Sequence, residues 1–423
     1  MKISLLAGTH SGCGKTTVML ALLQYFKARR QSVIAFKSGP DFLDPLWHRA
    51  VTGKPSYNLD TLMIGVEKSR EILARQAGRA DCAVIEGVMG LFDGRSGVGS
   101  TGSSADLARI LNAPVMLVVD AAGISGTIVP LVAGVCAYAT RMGVAIGGVI
   151  ANKVGSRHHA ELLRELLQEH DMPPLIAWMT KGAPVLAERH LGLVRPGEGD
   201  IPDFLPFFQV EDNALKQAFA ECQLQPESDQ SERQLLNGKT VAVAKDSACC
   251  FIYQANLDWL RAQGGELRFF SVLAGEPVPD AADALWLPGG YPELYAEQLA
   301  QSASWPSLRQ FIENDKPVLA ECGGAMILGE CLINHEGEHW PMAKMLPYVS
   351  KMQDKLASLG YRQEASGARG HEFHHSVRDM AGTLPAAFDC PRGDRGVRYR
   401  NLRASYVHWF FPSAPAVVAG WLS

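Results

Sequence analysis

At 423 residues the chain exceeds what one ordinary core supports, so two domains are expected, and 47% hydrophobic with 20% charged residues excludes a disordered protein. Its 44 carboxylates against 40 lysines and arginines give a net charge of −4, which leaves no basic field for nucleic acid. Nine scattered cysteines without a C-x-x-C pair argue against a disulfide framework or a zinc ribbon and for a reducing, cytoplasmic setting.

In chain order the pattern predicts a strand over Ile3 to Leu6, a glycine loop, a helix over Thr16 to Arg29 and a strand over Ser32 to Lys37. A loop and a helix lead to the strand "DCAVIEG" (81–87). No small-residue cleavage site follows the short N-terminal apolar run, so no signal peptide is expected. The uncharged stretch "AAGISGTIVPLVAGVCAYAT" (121–140) has the length of a bilayer span. Its Gly, Ala, Ser and Thr content, Pro130, and the strand-like flanks "APVMLVVD" and "VAIGGVIANKV" predict a buried crossover helix instead, and no membrane partner. Strands apolar on both faces, alternating with helices to about residue 200, predict a parallel sheet covered on both sides. The polar text "CQLQPESDQSERQLLNG" (222–238) reads as a connection. A second β-α series follows it: the strand "KTVAVAKD", a helix over Ala255 to Gln263, and strands in "LRFFSVL", "ALWLPGGYPE" and "PVLAECGG". Expected, then, are two α/β domains in series, 1–222 and 239–423, joined by a linker over 223–238.

Two sites stand out. "THSGCGKTT" turns a strand into a helix with glycines that expose backbone N–H groups to a phosphate, one residue short of a strict Walker A because Thr9 stands where the first glycine belongs. Gly12, Cys13, Gly14, Lys15, Thr16 and Thr17 form the expected ATP-binding set, with Lys15 on the β and γ phosphates. Thr16 is an expected Mg²⁺ ligand. Asp41 in "KSGPDFLDP" and Glu86 in "VIEGVMGLFDG" end strands where a phosphate-bound Mg²⁺ is reachable, with Asp44 and Asp93 nearby. In "PVLAECGGAMILG" an apolar strand runs through Glu321 to Cys322 and two glycines before an apolar helical segment, the pattern of a nucleophile elbow, a placement expected to lower the thiol pKa. His408 in "RASYVHWFFP" is the candidate proton acceptor. Gly289, Gly290 and Gly323 are candidates to hold a tetrahedral oxyanion. Two motifs read as decoys. "HEFHH" (371–375) matches H-E-x-x-H but lies in glycine-flanked text without helical periodicity, so a loop or strand is expected and not a zinc site. "GVGSTG" (97–102) starts too far from its strand for a dinucleotide site and reads as a loop capped by Ser103 or Ser104.

Together, "AGTHSGCGKTT", "KSGPDFLDP", "NLDTLM", "IEGVMGLFDG", "LPGGYPELYAE", "AECGGAMILGE", "GHEFHHS" and "ASYVHWFF" resemble the cobyrinic acid a,c-diamide synthase family over almost the whole chain. The resemblance implies a dethiobiotin-synthetase-like ATP domain joined to a class I glutamine amidotransferase-like domain. It implies Cys322 as nucleophile with His408 as its base, MgATP on the P-loop with Asp41 and Glu86, and a carboxylate substrate near Asp44 and Asp93. Ordinary class I amidotransferases carry H-x-E, whereas here Trp409 and Phe410 follow His408, so no glutamate orients the ring. The implied reaction amidates the a and c carboxylates of cobyrinate or a related tetrapyrrole. ATP phosphorylates each carboxylate, and NH₃ released from glutamine reaches it along a protected passage. The alternatives are a hydrogenobyrinate or Ni-sirohydrochlorin a,c-diamide synthase, a cobyric acid synthase, or a partition-type ATPase switch. Partners are expected to be small molecules, with a homodimer as a further expectation.

Overall fold

β1 (Lys2–Gly8) is buried from Ile3 onward, and β2 (Val33–Ser38) is buried along its whole length. Strands buried on both faces belong to the middle of a covered parallel sheet. The computed structural model describes residues 1–76, 78–94, 100–186, 188–189, 192–193, 195–196, 200–224 and 234–423. The expected linker, 223–238, lies mostly outside these residues, as does part of the loop 97–102. The chain divides into two compact units, Met1–Ser228 and Asp229–Ser423.

In the first unit, α1 (Lys15–Ala28), α2 (Leu43–Thr52), β3 (Tyr57–Leu59) and α3 (Val66–Gln76) alternate with the strands. β4 (Cys82–Gly90), α4 (Ser104–Leu111), β5 (Val115–Asp120), α5 (Ile128–Arg141), β6 (Ile146–Val154), α6 (Arg157–Glu169) and β7 (Leu175–Thr180) continue the series. The sheet order is β7-β6-β5-β1-β4-β2-β3, parallel throughout, with the antiparallel strand Phe208–Val210 on the β7 edge. β1 therefore lies between β4 and β5, the reversal of strand order at which open α/β sheets bind ligands. Ser103 caps α4 by accepting a hydrogen bond from the Asp106 N–H.

Over 121–140 the expectation of a buried crossover helix is corrected. α5 is present, but only Ile128, Val132 and Ala139 are buried in it, and Tyr138 is 47% exposed. Lack of charge did not mean burial, because alanine, glycine and threonine face solvent at little cost. No helix among the described residues is long and apolar enough to cross a membrane.

The second unit holds a six-stranded sheet in the order Glu266–Phe270, Thr240–Ala244, Ala284–Leu287, Val318–Glu321, Leu402–Ser405, Val397–Tyr399. All its pairings are parallel except the last. The strand expected through "ALWLPGGYPE" stops at Leu287, and the glycine turn leads into a 3₁₀ turn at Pro292–Tyr295. Between Cys331 and Met380 the chain forms smaller, largely antiparallel sheets that an α/β reading does not anticipate. Tyr348–Met352 alternates buried with less buried positions, the period of a strand with one covered face. The first four residues of "HEFHH" fall on the strand Arg369–His374, which pairs on one side with Ser358–Gln363 and on the other with His408–Phe410.

Candidate functional site

The loop after β1 is shaped by glycine. Gly12 and Gly14 hold φ of +81° and +91°, and Gly14 is the cap from which α1 starts. A Cβ on Gly14 would overlap the Asn152 side-chain amide, which donates to the Cys13 carbonyl at 2.9 Å from the end of β6. The Cys13 side chain is buried in the core, so that residue can offer a ligand only its backbone. Lys15 donates to the His10 carbonyl at 3.4 Å, and burial lowers its pKa. Thr17 follows on the first turn of α1.

Beside the loop lies a buried charge cluster set by sheet register. Lys37 on β2 stands opposite Glu86 on β4, which in turn stands opposite Leu6 on β1. The Glu86 carboxylate accepts from Thr16 Oγ1 at 2.7 Å and contacts His48 Nε2 at 2.7 Å and Lys37 Nζ at 3.4 Å. Lys37 also pairs with Asp44 at 2.5 Å, and His48 Nδ1 meets Ser56 Oγ at 3.0 Å. Asp44 and His48 stand four residues apart on α2 and so share its inner face. Burial opposes the charge on Lys37, but Asp44, Glu86 and Asp41 outweigh it and hold Lys37 above its usual range. Burial likewise opposes the Glu86 charge, and Lys37, His48 and Thr16 bring its pKa down to about 2. Asp44 is pushed well up by burial and by the Asp41 and Glu86 charges, despite Lys37.

The sequence-predicted residues Thr16, Glu86 and Asp44 thus converge, and Lys37 and His48, which sequence reasoning missed, complete the cluster. A lysine near the end of an otherwise apolar, fully buried strand was the available signal. Asp41 accepts from the Leu43 and Asp44 N–H groups and starts α2. The exposed Asp93 accepts from the Gly90 N–H and closes a turn. No group of three His, Cys, Asp or Glu side chains suited to a metal occurs among the described residues. Mg²⁺ needs no such cage, since one or two carboxylates with substrate phosphates and waters suffice. The hydroxyl and carboxylate oxygens of Thr16 and Glu86, hard donors side by side at the loop, fit a hard divalent cation.

In the second unit Cys322 has φ 45° and ψ −111°, a strained conformation at the junction of Val318–Glu321 with the short helix Gly323–Met326. Its N–H donates to the Ser405 carbonyl at 2.7 Å. Gly323 and Gly290 lie backbone to backbone: a Cβ on Gly323 would come within 3.0 Å of the Gly290 nitrogen. A Cβ on Gly289 would overlap His408 Cε1 and lie 3.2 Å from Cys322 Cβ, which places thiol, imidazole and the three glycines at one spot.

Burial pushes the Cys322 thiol up, the Glu293 carboxylate adds to this, and the Gly323 N–H only partly opposes it. The expectation that the elbow lowers this pKa is corrected: the helix is a single turn and the thiol is buried beside carboxylates. His408 lies well below the usual histidine value through burial and the nearby His371 and His374. The pair is therefore a neutral thiol and a neutral imidazole.

Two carboxylates here escaped the sequence reading. Glu321 accepts from the Trp409 N–H at 2.9 Å and from Trp286 Nε1 at 3.1 Å, tying the cysteine strand to the residue after His408. Burial lifts Glu321 to about 8 and Glu293 to about 7.

Gly289 does not hold a positive φ, so what bars a side chain there is space. Gly289→Ala is expected to displace His408 from Cys322 and lower glutamine hydrolysis by about 10²-fold, a typical loss for misplacement on the order of 1 Å. Steady-state glutamate release against the thermal midpoint checks it.

A strained cysteine against a histidine at the end of one parallel sheet, and a P-loop beside a buried carboxylate cluster in another, define a glutamine amidotransferase unit joined to a nucleotide-binding unit. Residues 4–188 match the CobQ/CobB/MinD/ParA nucleotide binding domain, and residues 240–416 match the CobB/CobQ-like glutamine amidotransferase domain. A cobyrinate a,c-diamide synthase of Herminiimonas arsenicoxydans is 39% identical over 99% of this chain and 96% of its own. A hydrogenobyrinate a,c-diamide synthase of Pseudomonas aeruginosa is 39% identical over 99% and 97%. A cobyrinate a,c-diamide synthase of Priestia megaterium is 36% identical over 99% and 95%. The chain belongs to the cobyrinate a,c-diamide synthase family and is by that membership a glutamine-hydrolysing carbon–nitrogen ligase. Its place among these relatives leaves no support for a partition-type switch, and the comparisons lend none to a homodimer.

Proposed function

We propose that the protein uses MgATP and glutamine to amidate the a and c carboxylates of cobyrinate, or of a closely related corrinoid, through acyl phosphates in cobalamin biosynthesis. The observation that carries the reading is the pairing, in one chain, of a Cys322–His408 site with a P-loop whose Thr16 hydroxyl donates to the Glu86 carboxylate. Cys322 attacks the glutamine side-chain carbonyl while His408 takes its proton. Gly289, Gly290 and Gly323 border the developing oxyanion. Collapse of the intermediate, with His408 returning the proton, releases NH₃ and leaves a thioester that water cleaves to glutamate. Ammonia freed within the protein keeps the lone pair that ammonium lacks.

In the first unit a substrate carboxylate oxygen attacks the γ-phosphate and ADP leaves. NH₃ then attacks the acyl phosphate and inorganic phosphate leaves with the carboxyl oxygen. Lys15 and the backbone of the loop over Gly12, Cys13 and Gly14 cradle the phosphates, and Thr17 completes the loop contacts. Thr16 and Glu86, with Asp41 in reserve, would hold Mg²⁺, which when bound neutralises phosphate charge. Of the two carboxylates expected to meet the substrate, Asp93 is exposed and open to it, whereas Asp44 is buried against Lys37 and acts there through that lysine.

Incubation with ATP, Mg²⁺ and glutamine, followed by mass spectrometry, tests the reading. Cobyrinate should undergo two successive replacements of carboxylate oxygen by NH, coupled to ADP formation, and an unchanged macrocycle beside full glutaminase activity would reject the substrate. Hydrogenobyrinate is the second substrate to offer, because the Pseudomonas aeruginosa relative named for it is as similar in sequence as the cobyrinate enzyme of Herminiimonas arsenicoxydans.

A further inference from the structure

We propose that His371 is the positioning residue for His408, doing for this glutaminase site what a downstream carboxylate does where H-x-E is present; the inference rests on the glutaminase reading above. His371 and His408 are directly opposed in the antiparallel pairing of Arg369–His374 with His408–Phe410. Their rings stack with centroids 5.1 Å apart and planes 22° from parallel. The strands approach this closely because the next residue toward the turn is Gly370, where a Cβ would overlap the His408 carbonyl oxygen.

His371 is itself fixed. The Tyr253 hydroxyl lies 3.0 Å from His371 Nδ1, and all three groups are buried. Phe410, which occupies the position of the glutamate in H-x-E, packs edge-on against the Tyr253 ring with centroids 5.9 Å apart. The residue replacing the carboxylate thus supports the tyrosine that holds His371 over His408. On another side Phe251 packs against His408 at 5.8 Å, and Tyr291 packs edge-on against Phe251. The His408 ring is confined by neighbours of fixed orientation.

Stacking also suits the required charge state. Burial pushes His371 down to about 3 and His408 well below its usual value, so two neutral imidazoles face each other at neutral pH and His408 is free to accept the thiol proton. The "HEFHH" motif, set aside above as a zinc signature, gains a purpose here. On a strand its first histidine turns toward His408, while Glu372 turns to Arg362 at 2.7 Å.

Steady-state glutamine hydrolysis by the full chain tests this with His371→Ala, His371→Phe, Tyr253→Phe and Cys322→Ala. His371→Ala should lower kcat about 10²-fold with KM for glutamine nearly unchanged, because a loosened base impairs chemistry and not substrate binding. His371→Phe keeps a ring for stacking and should recover about tenfold of that loss. Tyr253→Phe removes one hydroxyl and should lower kcat by a smaller factor; these two variants carry the test if His371→Ala does not fold. Wild-type kcat in His371→Ala, an unchanged kcat in both ring-retaining variants, or equal losses in the Ala and Phe variants overturns the inference. If Cys322→Ala retains hydrolysis, or the unaltered protein has none, the glutaminase reading itself fails. If Cys322→Ala is inactive and His371 variants are normal, only the positioning role fails.

Discussion

Cys322→Ala is expected to abolish glutamine hydrolysis and glutamine-dependent amidation, by about 10⁴-fold or more, and to leave amidation driven by added ammonium salt in place. Loss of the nucleophile removes the thioester, and no neighbouring group can replace it: Glu293 and Glu321 are held high by burial and are poor nucleophiles toward an amide. The change should be mild for stability. Alanine meets the same φ of 45° that Cys322 already tolerates, and what disappears is one small buried sulfur. Ammonium salt supplies NH₃ to the first unit's chemistry without the thiol, so ADP formation and amide formation should persist. Amide product measured with glutamine and then with ammonium chloride checks the expectation. A folded variant that has lost both activities would show that the two units do not divide the work in this way.

The fold was legible where burial is continuous and hidden where it is one-sided. β1, β2 and β5 are apolar runs bounded by glycine or polar turns, and they lie in the parallel sheet as their text predicts. The 331–380 region was not legible, because its short strands bury one face only and mix polar and apolar residues on both: Ser350 and Ser376 are buried while Leu359, Phe373 and Val377 are exposed.

The sites divide in the same way. The P-loop and the Cys322 elbow are local constellations, fixed by glycines that adjoin the functional residue in sequence. His48 and Glu321 act through partners 35 or more residues away, and Lys37, besides its near neighbour Asp44, acts on Glu86 through sheet register; no local pattern encodes these distant pairings. The thiol pKa was misjudged for a related reason. A helix start is visible in the sequence, whereas burial beside Glu293 is a property of the fold.

Glu86 is where the largest effect outside the cysteine is expected, and its two roles are separable by choice of substitution. Glu86→Ala removes a carboxylate that contacts Thr16, His48 and Lys37 at once, leaving a buried lysine with Asp44 as its close counter-charge and depriving the half-buried Thr16 hydroxyl and the buried His48 Nε2 of their partner. Breaking a buried charge contact of this kind costs about 3 to 5 kcal/mol, so reduced stability of the first unit would obscure any loss of activity. Glu86→Gln also deletes the charge beside Lys37, which keeps Asp44, but it preserves the shape and an oxygen for Thr16 and leaves no cavity, so its cost to stability is smaller. It should fold, retain glutaminase activity in the second unit, and lose amidation about 10³-fold or more with ammonium salt as with glutamine, since the phosphate-bound cation loses its anionic ligand. Its stability profile carries a second signature. Because the folded Glu86 pKa lies near 2, below the unfolded value, its charge stabilises the protein above the ordinary carboxylate range, and that contribution fades as pH falls toward 2. Glu86→Gln should flatten this acid-side loss. Wild-type ammonium-driven amidation in Glu86→Gln would take Glu86 out of the reaction and leave it a structural anchor for Lys37 and His48.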